Sequence, residues 1–216
     1  MTDALGQSQV IPYVLGVAQA GYKVTLLSTE KHDRYKQYGE RIRKLLSENN
    51  IVWEHILFTK NPPLVSKYFD LINLKTKAER LHKRENFKLV HCRSYVAADA
   101  GLLLKKKYGI KFLFDMRGFW VDERVDGGIW NLSNPVYKRL YSWYKKKEKT
   151  FIKNADAIIS LTHAGKNEIP VRYGFALILS GICRGSGITC RIQDIYHGIF
   201  GCRLLRSRGS ESEFVR

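Results

Sequence analysis

The chain has 216 residues, 44% of them hydrophobic and 26% charged, with a formal net charge of +17. This is ordinary for a globular protein of one large or two small domains with a sizeable core. No apolar run approaches the ~18–20 residues that span a bilayer, Met1 to Gln9 carry no secretory pattern, and the four cysteines have neither CxxC nor metal-ligand spacing, so the default location is cytoplasmic.

The elements alternate from the start. Ser8 to Ala20 reads as a helix, with Ser8 as N-cap, Pro12 near the first turn and Gly21 as the stop. YKVTLLS (Tyr22 to Ser28) is rich in strand formers and suits a buried strand. Asp33 to Asn49 follows as a charged amphipathic helix with Ile42, Leu45 and Leu46 on one side. IVWEHIL (Ile51 to Leu57) is the next strand, and Asn61-Pro-Pro marks a loop. Val65 to Arg84 predicts a long helix with Leu71, Leu74, Ala78 and Leu81 apolar. Then come a strand (Phe87 to Cys92), a helix (Val96 to Tyr108) stopped by Gly109, a strand (Ile110 to Met116), a helix (Pro135 to Lys153) and a strand (Ala155 to Leu161). Strands separated by helices predict an α/β fold, a parallel sheet doubly wound in the Rossmann-like manner. Such a domain opens with a strand before its first glycine turn. Here the chain starts in that turn, so the first strand is expected to be missing.

Composition changes near residue 170. Residues 1–169 hold 21 Lys, whereas residues 170–216 hold none, together with seven Arg, seven Gly and three of the four Cys. The expectation is a domain over 1–169 followed by a non-native or frameshifted tail over 170–216; a native Arg/Gly-rich extension is the alternative.

Ligands of doubly wound sheets bind beyond the carboxyl ends of the strands, and this rule selects the candidate residues. Gly6, Gln7 and Ser8 precede a helix whose free N–H groups could meet an anion, although a lone glycine turn is a weak signal and GxGxxG is absent. His91, Arg93 and Ser94 follow a strand. The DMRGFWVDER segment places Arg117, Trp120, Asp122, Glu123 and Arg124 on one loop after Asp115, where rings could cover a sugar face and charged groups could bond its hydroxyls. Asp126 to Trp130 continues it as a mobile segment. His163 follows the last strand, where Thr162 could equally cap another helix.

The net charge of +17 calls for a partner: nucleic acid, anionic lipid or an anionic small molecule. Zinc-finger and RNP-type signatures are absent, which makes nucleic acid the least favoured. Lysines on helices, such as Lys105, Lys106 and Lys107 or Lys145, Lys146, Lys147 and Lys149, read either as solvated faces or as a surface for an anionic membrane or polyanionic acceptor.

Four blocks in order, TDALGQSQVIPYVLGVAQAGYKVTLLS, KLVHCRSYVAADAGLLL, FLFDMRGFWVDERVDGG and NADAIISLTHAGKNEI, resemble the N-terminal domain of the retaining glycosyltransferases of group 1, family 4. The resemblance covers roughly residues 1–169 and implies the acceptor-side half of a two-domain GT-B fold. It also implies transfer of a sugar, with retention, from a nucleotide-sugar donor to a saccharide or lipid-linked acceptor, in cell-surface polysaccharide synthesis. The Gly6 region corresponds to the family's loop near the donor phosphates, and His91 or Arg93 to its polar group after the mid-sheet strand. Arg117 stands where the family commonly has His. The family's paired-glutamate motif is absent from the tail. The catalytic residues are therefore unknown here and expected in a missing C-terminal domain, and the chain alone is expected to be inactive. No cofactor and no metal are implied. A nucleic-acid-binding α/β module and another GT-B enzyme, such as a sugar-nucleotide epimerase, are the alternative readings.

Overall fold

The computed structural model describes residues 1–59, 63–174 and 178–180. The described residues form two compact units, Met1–Asp70 and the chain from Leu71 onward.

In the first unit a π-helical turn, Gly6–Val10, leads into helix α1 (Ile11–Gln19). Helical geometry starts at Ala4, earlier than expected. Ser8 is inside the helix and not its cap: its hydroxyl donates to the Ala4 carbonyl at 2.7 Å. The capping group is Asp3, whose Oδ1 accepts from the Gly6 N–H at 2.6 Å. Strand β1 (Val24–Glu30), helix α2 (His32–Glu48) and strand β2 (Ile51–Leu57) follow. The two strands pair in parallel from Val24↔Ile51 to Glu30↔Leu57. Ile42 and Leu46 of α2 are buried with Ile51, Trp53, Ile11 and Val14. Leu45 is exposed, because helical geometry places it about 100° around the axis from Leu46.

Helix α3 (Pro63–Glu85) buries Leu74, Ala78 and Leu81. The second unit continues with β3 (Leu89–Arg93), α4 (Ser94–Tyr108), β4 (Lys111–Met116), α5 (Trp120–Asp126), α6 (Pro135–Asn154), β5 (Ala157–Ser160), α7 (His163–Tyr173) and β6 (Ile178–Ser180). Its sheet has the order β3-β4-β5-β6, every pair parallel. Among the described residues no strand of this ladder is hydrogen-bonded to β1 or β2.

Five of the six β4 residues are buried, as expected for an inner parallel strand covered on both faces. Phe112 and Phe114 pack with Phe151, Ile152 and Ile158, each worth roughly 1.5–3 kcal/mol of burial. Helix α6 starts on Pro135, with Asn134 Oδ1 accepting from Val136 N at 2.9 Å. Helix α4 stops at Gly109 in the left-handed region, as its sequence predicts.

Two segments differ from expectation. The loop expected after Asp115 contains a helix, α5, whose seven residues carry Trp120, Asp122, Glu123 and Arg124. Helix α7 crosses position 170, and β6 pairs with β5 beyond it, so the change in composition at 170 is not an element boundary. Pro170 is tolerated within α7. The rest of the expected tail, with Cys183, Cys190 and Cys202, and most of the Asn61-Pro-Pro loop lie outside the described residues.

Candidate substrate-binding site

The carboxyl ends of β3 and β4 bring the strongest group of candidates together. In parallel register Arg93 stands opposite Asp115. Asp115 is buried; its Oδ2 lies 3.8 Å from His91 Nε2 and its Oδ1 lies 3.5 Å from an Arg117 guanidinium nitrogen. Burial pushes the Asp115 carboxyl up, but His91, Arg117 and Arg93 outweigh it and hold the group below the usual Asp range. One carboxylate therefore gathers an imidazole and two guanidinium groups at a strand terminus. Such a group can bind an anion or hydroxyls while the Asp orients the cations. Asp115 was legible only as a strand end; an acid closing an apolar strand, KFLFD, is the signal that marks it.

Ser94 follows immediately, at φ 72°. A non-glycine residue in this region stores about 1–3 kcal/mol of strain. The strain falls where β3 turns into α4, and the next residue, Tyr95, reaches into the core.

Trp120, Asp122, Glu123 and Arg124 share α5 but face different neighbours. The Arg124 guanidinium lies over the Trp120 ring, 4.9 Å from its centroid. Trp120 packs edge-on against Trp130 and Tyr144. Asp122 accepts from Tyr141 Oη at 2.8 Å, Lys145 Nζ at 3.1 Å and Arg172 at 2.8 Å. Burial opposes its ionisation, and these partners reverse that, leaving its pKa lowered. Glu123 lies over Gly118: a Cβ there would come within 2.2 Å of Glu123 Oε1, so a side chain at this position would displace the Glu123 carboxylate.

Lys145 links Asp122 to Glu148, which is fully buried. Glu148 also accepts from the hydroxyls of Tyr95 and Tyr173. Burial lowers the Lys145 pKa, but Glu148, Tyr173 and Asp122 more than offset it and raise it. Helices α4, α5, α6 and α7 are thereby joined through one polar network. A Glu within a run of lysines, KKKEK, gave no sign of this role, since its burial depends on which helix face packs inward.

In the first unit, the Gly6 region is tightly closed. A Cβ on Gly6 would lie 2.6 Å from the Met1 carbonyl oxygen. The Gly6 N–H is engaged by Asp3, and Gln7 N donates to the Asp3 carbonyl at 3.1 Å. Ser8 is bonded within its helix. Near this turn sits Glu30, 2% exposed, which accepts from the Met1 ammonium, from Thr2 N at 2.9 Å, Thr2 Oγ1 at 2.6 Å and Ser28 Oγ at 2.6 Å. Burial works against its charge and these donors overcome it, so its pKa is lowered. Sequence reasoning did not single out Glu30. His163 is exposed in the first turn of α7, and Thr162 caps that helix by accepting from Gly165 N at 3.0 Å.

The profile of Glycosyltransferase Family 4 matches residues 13–178, well over half the chain. The chain belongs to Glycosyltransferase Family 4. The match runs through α7 to the first residue of β6, past the expected break at 170. No curated protein matches the chain. Among solved structures, Arabidopsis thaliana UGT89C1 complexed with UDP-L-rhamnose is similar, with a TM-score of 0.50 and 12% identity over 79% of this chain and 46% of that one. A sucrose-phosphate synthase structure from Thermosynechococcus elongatus has a TM-score of 0.48 and 14% identity, over 82% of this chain and 99% of that one. The chain thus spans about half the length of the UGT89C1 structure. The parallel α/β fold of the described residues is consistent with a Rossmann-like half of the GT-B fold.

Proposed function

We propose that this family 4 chain forms the acceptor-side half of a retaining glycosyltransferase. The enzyme moves a sugar from a nucleotide-sugar donor to a saccharide or lipid-linked acceptor in cell-surface polysaccharide synthesis, at the cytoplasmic face of a membrane. The observation that carries the reading is the His91–Asp115–Arg117 group at the carboxyl ends of adjacent parallel strands, the position where doubly wound folds bind ligands. The UDP-sugar held by UGT89C1 supports the donor class.

In this reading His91, Arg93 and Arg117 contact the acceptor, and Asp115 fixes their orientation. Ser94, Trp120, Glu123, Arg124 and His163 border the acceptor. Helix N-termini and basic side chains stabilise the charge that develops on the leaving nucleoside diphosphate. The catalytic groups belong to the donor-side half.

The test is transfer to acceptor by the complete enzyme, comparing wild type with Arg117→Ala and His91→Ala. Loss of a charged hydrogen bond of about 1.5–3 kcal/mol lowers acceptor kcat/KM roughly 10- to 150-fold. Wild-type kinetics in both variants would remove these residues from the site.

A further inference from the structure

We propose that the sugar received at the carboxyl ends of β3 and β4 is an acidic one, carrying a carboxylate or a phosphate monoester. This rests on the placement of the acceptor at that group and names its chemical class. The two strands bring four ionisable side chains to one terminus: His91 and Arg93 from β3, Asp115 from β4 and Arg117 just beyond it. Arg93 and Arg117 are permanent cations, and Asp115 is the one acid among the four. Both guanidinium groups act on Asp115 through their charge, and Arg117 stands 3.5 Å from it. The group thus carries a positive surplus before His91 is counted.

The backbone adds to this surplus. Helix α4 starts directly from Arg93, and its 15 residues direct the positive end of the helix dipole at the same terminus. Arg93 is the N-cap, its side chain has no acceptor atom, and the first turn holds no acid. The helices that follow β4 and β5 differ in this respect. Thr162 caps α7 by accepting from Gly165 N, and Asp122 and Glu123 stand in the first turn of α5. Glu123 therefore offsets the dipole of its own helix, and Asp122 is taken up by Tyr141, Lys145 and Arg172.

Asp115 itself points to a ligand with hydroxyls. It is 6% exposed, and its Oδ1 accepts no hydrogen bond among the described residues. A buried carboxylate oxygen in that state is matched by an O–H donor. A simple anion answers the cations but not this oxygen, and a neutral sugar answers the oxygen but not the cations. An acidic sugar answers both.

The experiment measures binding of three probes to the complete enzyme by saturation-transfer NMR titration: glucose, glucuronate and glucose 6-phosphate, with UDP as a fourth. Wild type is compared with Arg93→Gln, with Arg117→Gln and with a control that loses one exposed charge on α2, Lys44→Gln. Far-UV circular dichroism checks that each is folded. At least one acidic sugar is expected to bind wild type about tenfold or more tightly than glucose, the ratio that one charge-assisted hydrogen bond supplies. The tighter of the two identifies the group as carboxylate or phosphate. The preference is expected to collapse in Arg93→Gln and Arg117→Gln and to persist in Lys44→Gln.

Acidic sugars that bind no better than glucose, or do not bind, would overturn the acidic class; equal weakening of all three sugars in Arg117→Gln would then still leave the acceptor at this group. Unchanged binding of every sugar in both arginine variants would overturn the class and the acceptor placement together. Loss of the preference in Lys44→Gln as well would assign it to the general field of the protein and overturn the proposal. UDP binding that falls in both arginine variants, with no preference among the sugars, would give the group to the donor diphosphate and overturn it too.

Discussion

Two acid-centred clusters in the second unit are built from similar parts and held in different ways. Around Asp122 and Glu148, two carboxylates meet Lys145, Arg172 and three tyrosine hydroxyls, and the contacts to Asp122 fall between 2.8 and 3.1 Å. Around Asp115, one carboxylate meets His91 and Arg117 at 3.8 and 3.5 Å. The first cluster ties four helices to one another; the second lies at strand ends beside the strained Ser94. A saturated network has no bonding capacity left for a substrate and serves as a brace. A charged group gathered at the carboxyl ends of parallel strands lies where doubly wound folds bind their ligands.

The comparison is broken most severely at Glu148. Glu148→Ala leaves half-buried Lys145 without its nearest partner and strips two phenols of their acceptor. Such a loss costs about 3–5 kcal/mol, a fall of roughly 10 °C in Tm. Thermal melts read it, and an unchanged Tm would mean that the network does not hold the helices. Asp122→Ala comes next, because Lys145 keeps Glu148 and Arg172 keeps Glu168. The expected cost is about 1.5–3 kcal/mol, with acceptor KM little altered.

Acid sharpens the same contrast. Asp115 and Asp122 both have folded pKa values below the ordinary Asp value of about 3.9. A depressed carboxyl contributes stability that is complete above its unfolded value and is lost as pH falls through the folded one. Stability should therefore hold down to about pH 4 and decline below it. Asp122→Asn should flatten that decline in an acid titration followed by circular dichroism. The smallest effect belongs to Ser94→Gly, which relieves a left-handed φ and is expected to raise stability by about 1 kcal/mol. A fall in Tm would show that the Ser94 side chain, rather than the turn, matters to the fold.

How legible these regions were differs for physical reasons. The strands β2 and β4 could be read from β-rich apolar runs, and α6 from its period and its Asn-Pro start. The resemblance to family 4 was carried by local blocks, and the match over residues 13–178 takes in three of them and the later part of the first. Helix α5 was hidden because WVDERVD mixes charge and aromatic residues, as a binding loop also does. Its true pattern, Val121 buried and Asp122 turned to α6, appears only once α6 is in place. Glu148 was hidden for the same reason, its partners being 25 and 53 residues away. The group at β3 and β4 was found through His91, Arg93 and Arg117, because the rule of strand carboxyl ends depends only on locating the strands. Asp115, at its centre, required the parallel register.

The most direct test separates the two clusters in one experiment: acceptor kcat/KM and Tm measured side by side for Arg117→Ala and Asp122→Ala in the complete enzyme. Arg117→Ala is expected to lose roughly 10- to 150-fold in kcat/KM with Tm within about 2 °C of wild type. Asp122→Ala is expected to melt several degrees lower with near-normal kinetics. The reverse pattern, with transfer lost in Asp122→Ala and stability lost in Arg117→Ala, would contradict the account and make Asp122 the acceptor contact and the Asp115 group the brace.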